Sequence, residues 1–260
     1  MKRRTFLQST LTAGCLPFLT GSSVLAAEGD SEPRQFLEWR RYVCKNQRQH
    51  DLVLNFLSKA LFPALEKSAA KPVGAFVDVD ASKDLTIYTL MPFDSLQQYL
   101  ELPEQLMASS SFAQAAQPYL TTEKSSPAYE RIESSLMVSF SGMPRVEIPR
   151  TGERIFELRI YESHNELKAA LKVEMFNEAE LDIFRKVGLD AVFFGQSLFG
   201  PDLPNLTYML GYKDMEEHGA AWKAFLDHPD WKVLKANERY KDTVSKIRNR
   251  FLRPTDFSQI

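Results

Sequence analysis

A polar pattern, Glu-x-Arg-x-Tyr, occurs twice in this chain and brings together the side chains best suited to chemistry. An arginine can hold a carboxylate by two parallel hydrogen bonds, and a tyrosine hydroxyl can donate another. A glutamate can serve as a base when burial raises its pKa. The pattern makes these residues candidates for binding an anionic or oxygenated small molecule; the interpretation given more weight is that its Glu and Arg pair with neighbouring strands and fix their register. The residues are Glu38, Arg40, Tyr42, Glu157, Arg159 and Tyr161.

The four histidines have no spacing typical of a metal site, so none is predicted. His50 and His164 fall just inside the first predicted helix of each half, where exposure is expected. His228 precedes a proline in a predicted turn. His218 is retained as a candidate ligand-binding residue, and it is the histidine that would hold a haem. The preferred prediction is that no cofactor is bound, with haem as the alternative.

Composition and motifs exclude several classes of function. The chain has 260 residues and a formal net charge of −2, without the basic excess of a nucleic-acid-binding protein. It has no glycine-rich phosphate loop, no Gly-x-Ser-x-Gly elbow and no paired-cysteine motif. Nucleotide-dependent enzymes and serine hydrolases are therefore excluded. Hydrophobic residues make up 44% of the chain, which is enough for core burial to provide stability.

Two segments of the chain resemble each other at a spacing of about 119 residues, the separation of Glu38 and Glu157. Three matches in the same order indicate a duplicated unit. Prolines and glycines between the two copies indicate a linker at residues 142–153. The matched ranges are 36–42 with 155–161, 62–67 with 181–186, and 84–88 with 205–209.

Each copy is predicted to contain the elements β-α-β-β-α-β. Alternating apolar residues predict a strand over 156–161, and helical spacing of apolar residues predicts a helix through Leu52–Leu61. Ser163 and Asn46 are the predicted helix caps. The predicted fold class is α+β, with two tandem ferredoxin-like domains. Two sheets of this kind can cover each other's bare faces and close a pseudo-dimeric α/β barrel.

Side-chain alternation predicts the two faces of the second-copy strand. Phe156, Leu158 and Ile160 form an apolar row that is expected to face the helices. The polar row of the same strand is then expected to face the other sheet, a pocket or water.

Four stretches of the second half form a set: Glu157-Leu158-Arg159-Ile160-Tyr161, Phe184-Arg185-Lys186-Val187-Gly188, Leu210-Gly211-Tyr212-Lys213-Asp214-Met215 and Asp227-His228-Pro229-Asp230-Trp231. This set resembles the NIPSNAP family of the dimeric α/β-barrel superfamily. The resemblance covers about residues 154–253 well and residues 36–142 more loosely. It implies tandem ferredoxin-like domains and an incompletely defined biochemical role, and it supplies no catalytic residues.

Residues 1–27 have the pattern of a twin-arginine export signal. Arg3 and Arg4 precede Phe-Leu and an apolar run that ends in small residues. Cleavage after Ala27 predicts an exported protein, periplasmic or extracellular, with no stable membrane insertion. A membrane anchor and a lipoprotein site at Cys15 are the alternatives.

Removal of this segment would leave an ordinary solvated protein. The segment carries Lys2 and two arginines and no acidic residue, so the net charge changes from −2 to −5. Cys44 would then be the one remaining cysteine, which rules out an intramolecular disulfide.

The domain boundaries that follow are a first domain at 34–141, the linker at 142–153, a second domain at 154–254 and a tail at 255–260. Three functions are compatible with the sequence: an exported protein that binds a small molecule, a cofactor-independent oxygenase or isomerase, and a non-catalytic protein that docks a partner. Whether the protein is an enzyme stays open, as does assembly into a homo-oligomer. A small-molecule ligand is the expected partner, and nucleic acid is not.

Overall fold

The structure, a computed structural model, describes residues 32–66, 71–80 and 84–260. Glu32 to Ile260 pack as one compact unit. Within the described ranges no helix is both long and apolar enough to cross a membrane. The predicted export signal, residues 1–27, lies outside the described residues.

Eight antiparallel strands close into a barrel around which the order is β1-β3-β2-β8-β5-β7-β6-β4. Each half of the chain contributes four consecutive strands, and β2–β8 and β4–β6 are the seams between the halves. Closure removes the exposed sheet edges that an isolated half would present. The strands are β1 Phe36–Val43, β2 Gly74–Asp78, β3 Ile87–Phe93, β4 Arg131–Ser139, β5 Ile155–Glu162, β6 Asp190–Phe199, β7 Asn205–Tyr212 and β8 Lys246–Pro254.

The helices lie outside the barrel. The first helix of each half is interrupted by five residues of π-helix, at Leu57–Leu61 and at Phe176–Glu180, which the sequence did not predict. The α-helices are α1 Gln47–Phe56, α2 Phe62–Leu65, α3 Leu96–Ala108, α4 Ser110–Leu120, α5 Glu166–Met175, α6 Leu181–Lys186, α7 Met215–Asp227 and α8 Pro229–Lys235, and a 3₁₀ turn spans Glu238–Tyr240.

Helix capping follows the sequence at one site and departs from it at the other. Asn46 caps α1 by accepting a hydrogen bond from the backbone N–H of Gln49, as predicted. The cap of α5 is Asn165 and not Ser163. The hydroxyl of Ser163 instead donates to the backbone oxygen of Thr243. An asparagine oxygen one residue from the helix satisfies an N–H donor that Ser163, two residues further back, does not reach.

The apolar row of each pattern-bearing strand points into the barrel, opposite to the expectation. Phe156 and Leu158 join Leu37, Trp39 and other large side chains in one interior cluster. The polar row points outward and is covered by the helices. The reason is physical: closure of the strands encloses an interior that takes apolar side chains, and the layer under the helices accepts polar groups that pair with one another.

The two ends of the barrel differ. At the end where β2 begins, the tail runs alongside this strand, and Ile260 is buried in the interior cluster. At the opposite end, where β2 finishes at Asp78, the interior opens into a cavity. The tail therefore covers the first of these ends, and the cavity opens at the other.

Candidate functional site

Glu157 is the centre of a hydrogen-bonded network between β5 and α7. Its side chain is 0% exposed, and both carboxylate oxygens have donors. Oε1 accepts from Arg159 at 2.6 Å and from Asn249 at 3.1 Å. Oε2 accepts from Trp222 Nε1 at 2.8 Å and lies 3.2 Å from His218 Nε2. Each acceptor direction of the carboxylate is therefore occupied by the protein itself.

This network keeps Glu157 ionised. Burial acts to raise the pKa of its carboxyl. The charge of Arg159 and the hydrogen bonds from Asn249 and Trp222 outweigh burial and hold the pKa below its ordinary value. A carboxylate with a lowered pKa is a poor base, so the network argues against Glu157 as a general base.

Arg159 is enclosed by aromatic groups. Its guanidinium lies 4.5 Å from the ring centroid of Trp222 and donates to the hydroxyl of Tyr161 at 3.3 Å. That hydroxyl accepts a hydrogen bond from Tyr208 at 2.8 Å. The arginine therefore has a carboxylate, a hydroxyl and an indole face as partners within its own half.

A buried ion pair that the sequence did not reveal lies beside this network. Lys172 and Glu180 are 2.6 Å apart, with side chains 5% and 3% exposed. The π-helical segment carries Glu180 back toward Lys172 on α5, eight residues earlier. At the corresponding positions of the first half stand Val53 and Leu61, both buried. The second half therefore has an ion pair where the first half has two apolar side chains.

The first-half row has a less complete network. Glu38 Oε1 accepts from Arg40 at 2.8 and 3.0 Å and from the Ser134 hydroxyl at 2.5 Å. Glu38 Oε2 is buried and has no hydrogen-bond partner among the described residues. Ser134 thus takes the place of Asn249, but no described residue takes the place of the donors on α7.

The difference between the halves arises from the helix above each row. Helices α3 and α7 have the same length and matching caps, so their positions correspond one to one. Pro103 stands where α7 has Trp222, and Tyr99 where it has His218. Arg40 consequently lacks an indole cover, and its side chain is 29% exposed, against 16% for Arg159.

The structure gives His218 a role that leaves no room for haem ligation. Its ring packs between Tyr212 and Phe251, at centroid distances of 4.9 and 5.0 Å. Its Nε2 atom points at Glu157. A haem iron would need that nitrogen and an open face beside it, so these residues do not fit the group. Among the described residues, no group of His, Cys, Asp and Glu could hold a metal ion.

The open end of the barrel holds a cavity of about 470 Å³, which we call the barrel-mouth cavity. This volume is within the range of small-molecule pockets. Its walls are formed by inward-pointing residues at the mouth ends of the strands and by the loop that follows β6. The lining residues are Trp39, Arg41, Tyr88, Glu133, Ser135, Leu158, Ile160, Pro201, Asp202, Arg248, Asn249 and Arg250.

Three guanidinium groups ring the barrel-mouth cavity, and each is paired. Arg41 lies 2.7 Å from Glu133. Arg248 contacts Asp202 at 2.6 Å and a second carboxylate at 3.0 Å. Arg250 contacts two aspartates on the β2 side, at 2.6 and 2.8 Å. The mouth therefore carries a ring of compensated ion pairs.

Tyr88 is a buried polar residue that lines the barrel-mouth cavity. The residue is 1% exposed, and its ring stacks on Trp39 at a centroid distance of 5.6 Å. Its hydroxyl has no hydrogen-bond partner among the described residues. Burial raises the pKa of Tyr88 to about 12, so the hydroxyl keeps its proton and is a donor.

A second hollow of about 410 Å³ lies between the first-half helices. Its polar lining residues, such as Lys59 and Gln105, are exposed or partly exposed. It is a groove in the surface and has no buried polar group that could orient a ligand.

The row residues proposed as a ligand site do not line the barrel-mouth cavity. They form two separate networks under the helices, one in each half. Sequence reasoning missed the mouth because it followed the polar row, whereas the mouth is built from the opposite face of the same strands. Arg41, next to Arg40 and on the inward face, was the available signal.

Comparison with known proteins places the clearest likeness in the second half. Residues 156–259 match the family model described as NIPSNAP. The match covers less than half of the chain and supports the family predicted from the sequence. No curated protein matches the chain.

Three solved structures give the wider comparison. A candidate monooxygenase from Fusobacterium nucleatum has 9% identity and a TM-score of 0.54, over 86% of this chain and 93% of that one. A candidate monooxygenase from Lactobacillus acidophilus has 9% identity and a TM-score of 0.56, over 84% and 93%. An uncharacterized NIPSNAP-like domain protein from Burkholderia xenovorans has 22% identity and a TM-score of 0.38, over 42% and 92%. The first two likenesses show that the barrel fold is shared.

Proposed function

We propose that this protein binds a small, partly apolar molecule in the barrel-mouth cavity and does so without catalysis. The observation that carries the proposal is the buried hydroxyl of Tyr88, which has no hydrogen-bond partner among the described residues and belongs to a residue that lines the cavity of about 470 Å³. A buried polar group without a partner is costly, so a ligand that supplied a hydrogen-bond partner would gain affinity from it. The walls combine apolar side chains, which can contact the body of a ligand, with polar groups that can fix its orientation.

Two adjacent arginines make it possible to test whether the ligand binds in this cavity or at the outward-facing polar row. Arg40 points under the helices, and Arg41 points into the mouth. The experiment is native mass spectrometry of residues 28–260 after incubation with a small-molecule extract of the host. We expect wild type and Arg40→Ala to retain an added mass that Arg41→Ala loses. Absence of any added mass, or its loss from Arg40→Ala alone, would overturn the proposal.

An oxygenase or isomerase is the competing function, and the mouth favours it less. Acid–base chemistry needs a group in the pocket whose pKa is suited to proton transfer. The lining contains no histidine. Its two carboxylates, Glu133 and Asp202, are 42% and 43% exposed and are paired with arginines. An oxygenase stays the alternative because the two similar bacterial structures are described as candidate monooxygenases. Conversion of a bound compound into a product of different mass, seen by the same mass spectrometry, would establish that function.

A partner-docking function would require a contiguous apolar surface outside the barrel. Large exposed apolar side chains occur on several elements, and α3 carries three of them, Leu96, Leu100 and Met107. Docking through α3 therefore stays an alternative, and ligand binding is preferred because of the unpartnered groups of the residues that line the barrel-mouth cavity.

We further propose that residues 1–27 direct export by the twin-arginine route. The paired arginines and the apolar run that follows support this. The test is cell fractionation of wild type and an Arg3→Lys/Arg4→Lys variant. Export of wild type and retention of the variant are expected; equal export of both would contradict the proposal.

We also propose that each half is a ferredoxin-like unit and that the units arose by duplication. The strand order within the first half is β4-β1-β3-β2, and the second half repeats it as β8-β5-β7-β6. Residues 28–151 and 152–260, expressed as separate chains, should then co-purify as a reconstituted barrel. Aggregation of both fragments when they are co-expressed would count against independent units.

A further inference from the structure

We propose that the barrel-mouth cavity takes an uncharged, flat, largely apolar molecule that carries an acceptor oxygen, with an aromatic ketone as the simplest example. This inference rests on the proposed function, because it names the ligand class of the same cavity. Three properties of the cavity lead to it: the state of its arginines, its unpartnered donors and the shape of its apolar wall.

The state of the arginines argues for an uncharged ligand. A ring of guanidinium groups would normally suggest a carboxylate or phosphate ligand. Here Arg41 has a carboxylate partner, and Arg248 and Arg250 have two each. An anionic ligand would have to displace one of these carboxylates and would meet repulsion from the others. The positive charge of the three arginines is already neutralised by carboxylates of the protein.

The unpartnered donors argue for an acceptor oxygen on the ligand. The hydroxyl of Tyr88 and the Nε–H groups of Arg41 and Arg248 are buried and lack hydrogen-bond partners among the described residues. All three residues line the cavity. A guanidinium nitrogen can only donate, and a protonated phenol beside it is best satisfied by donating as well. A cationic ligand would bring further donors and leave these groups unsatisfied.

The apolar wall argues for a flat ligand body. The Trp39 ring stacks on Tyr88 with an interplanar angle of 26°. Leu158 and Ile160, on the facing strand, supply an aliphatic surface on the other side of the cavity. A slot between aromatic rings and branched aliphatic side chains suits a planar ring system, whose faces can contact both walls.

The experiment compares three naphthalene probes of similar size by isothermal titration calorimetry with residues 28–260. The probe 2-acetylnaphthalene has an acceptor oxygen and no charge, 2-naphthoate has the same oxygen with a negative charge, and 2-ethylnaphthalene has no acceptor. Wild type is expected to bind 2-acetylnaphthalene at least tenfold more tightly than either of the others. In Tyr88→Phe this preference over 2-ethylnaphthalene is expected to fall below threefold.

The outcomes separate this inference from the proposed function. Tighter binding of 2-naphthoate or of 2-ethylnaphthalene by wild type would overturn the ligand class and leave a binding cavity in place. Binding of none of the three up to their solubility limits would overturn both. An unchanged preference in Tyr88→Phe would remove Tyr88 from ligand recognition and would also overturn the inference.

A stability measurement on the ligand-free protein gives a second, independent test. If the Tyr88 hydroxyl is held ready for a ligand, its removal relieves a buried unpartnered group, so Tyr88→Phe should melt at a higher temperature than wild type. A purely structural hydroxyl would give the reverse. A lower melting temperature for Tyr88→Phe would overturn the inference even if a probe binds.

Discussion

The same substitution at two equivalent positions, Glu157→Gln and Glu38→Gln, should have very different effects on stability. In Glu157 both oxygens accept hydrogen bonds, Oε1 from Arg159 and Asn249 and Oε2 from Trp222. In either orientation of a glutamine side chain, its NH₂ group would therefore face N–H donors and could not accept their hydrogen bonds. In Glu38 the bonded acceptor is Oε1, and Oε2 is free among the described residues. A glutamine there can keep its oxygen toward Arg40 and place its NH₂ at the free position.

The magnitudes follow from what each substitution leaves unpaired. Glu157→Gln removes one partner of a buried ion pair, which costs about 3–5 kcal/mol. Glu38→Gln keeps its hydrogen bonds and loses their charge assistance, which costs about 1–2 kcal/mol because Arg40 is also reached by solvent. The expected difference of about 2 kcal/mol corresponds to roughly 4–8 °C in melting temperature for a chain of this size.

The assay is urea unfolding of residues 28–260, followed by far-ultraviolet circular dichroism at pH 7. Stability changes should appear as shifts of the midpoint with an unchanged slope, since the slope reflects the surface exposed on unfolding. Glu104→Gln, at an exposed position of α3, is the matched control and should lie close to wild type. Equal costs at the two positions, or a larger cost for Glu38→Gln, would refute the network as described.

Two further predictions concern the same layer of the structure. The folded-state pKa of Glu157 lies below its ordinary value, so its contribution to stability is present above the ordinary pKa and is lost as the pH falls through the folded-state pKa. Wild type should therefore lose stability on acidification more steeply than Glu157→Gln, and parallel pH profiles would contradict this. Lys172→Val alone should destabilise by about 3–5 kcal/mol, because it leaves Glu180 buried without its partner. The double variant Lys172→Val/Glu180→Leu, which copies Val53 and Leu61 of the first half, should recover most of this loss in a double-mutant cycle; no recovery would show that the pair is not an independent unit.

The sequence determined the local elements and their repetition with useful accuracy. The strand predicted over 156–161 lies within β5, and the helix through Leu52–Leu61 lies within α1 and the π-helical segment after it. These features depend on periodicity and capping, which are properties of neighbouring residues. The Asn165 cap shows the limit of this reasoning. Ser163 fits the sequence pattern of a cap, but its hydroxyl donates to the backbone oxygen of Thr243.

Local sequence did not determine which face of a strand points into the barrel and which points toward the helices. Alternation in β5 separates Phe156 and Leu158 from Glu157 and Arg159, but it is symmetric with respect to inside and outside. Closure of eight strands around one interior assigned the apolar row to the barrel and the polar row to the helix layer. The prediction inverted this because a single half offers no interior other than the space under its own helices.

The sequence by itself therefore fixed the residue types, the duplication of the polar row and the order of the elements. The tertiary structure alone decided that Trp222 completes the network of Glu157, whereas Pro103 supplies no donor and Glu38 Oε2 has no partner in the described part of the chain. It also decided that Arg41 and Tyr88 meet at the mouth. The physical reason is that hydrogen-bond satisfaction and cavities depend on side chains from strands and helices far apart in the chain. Their meeting is set by closure of the barrel, which no window of sequence contains.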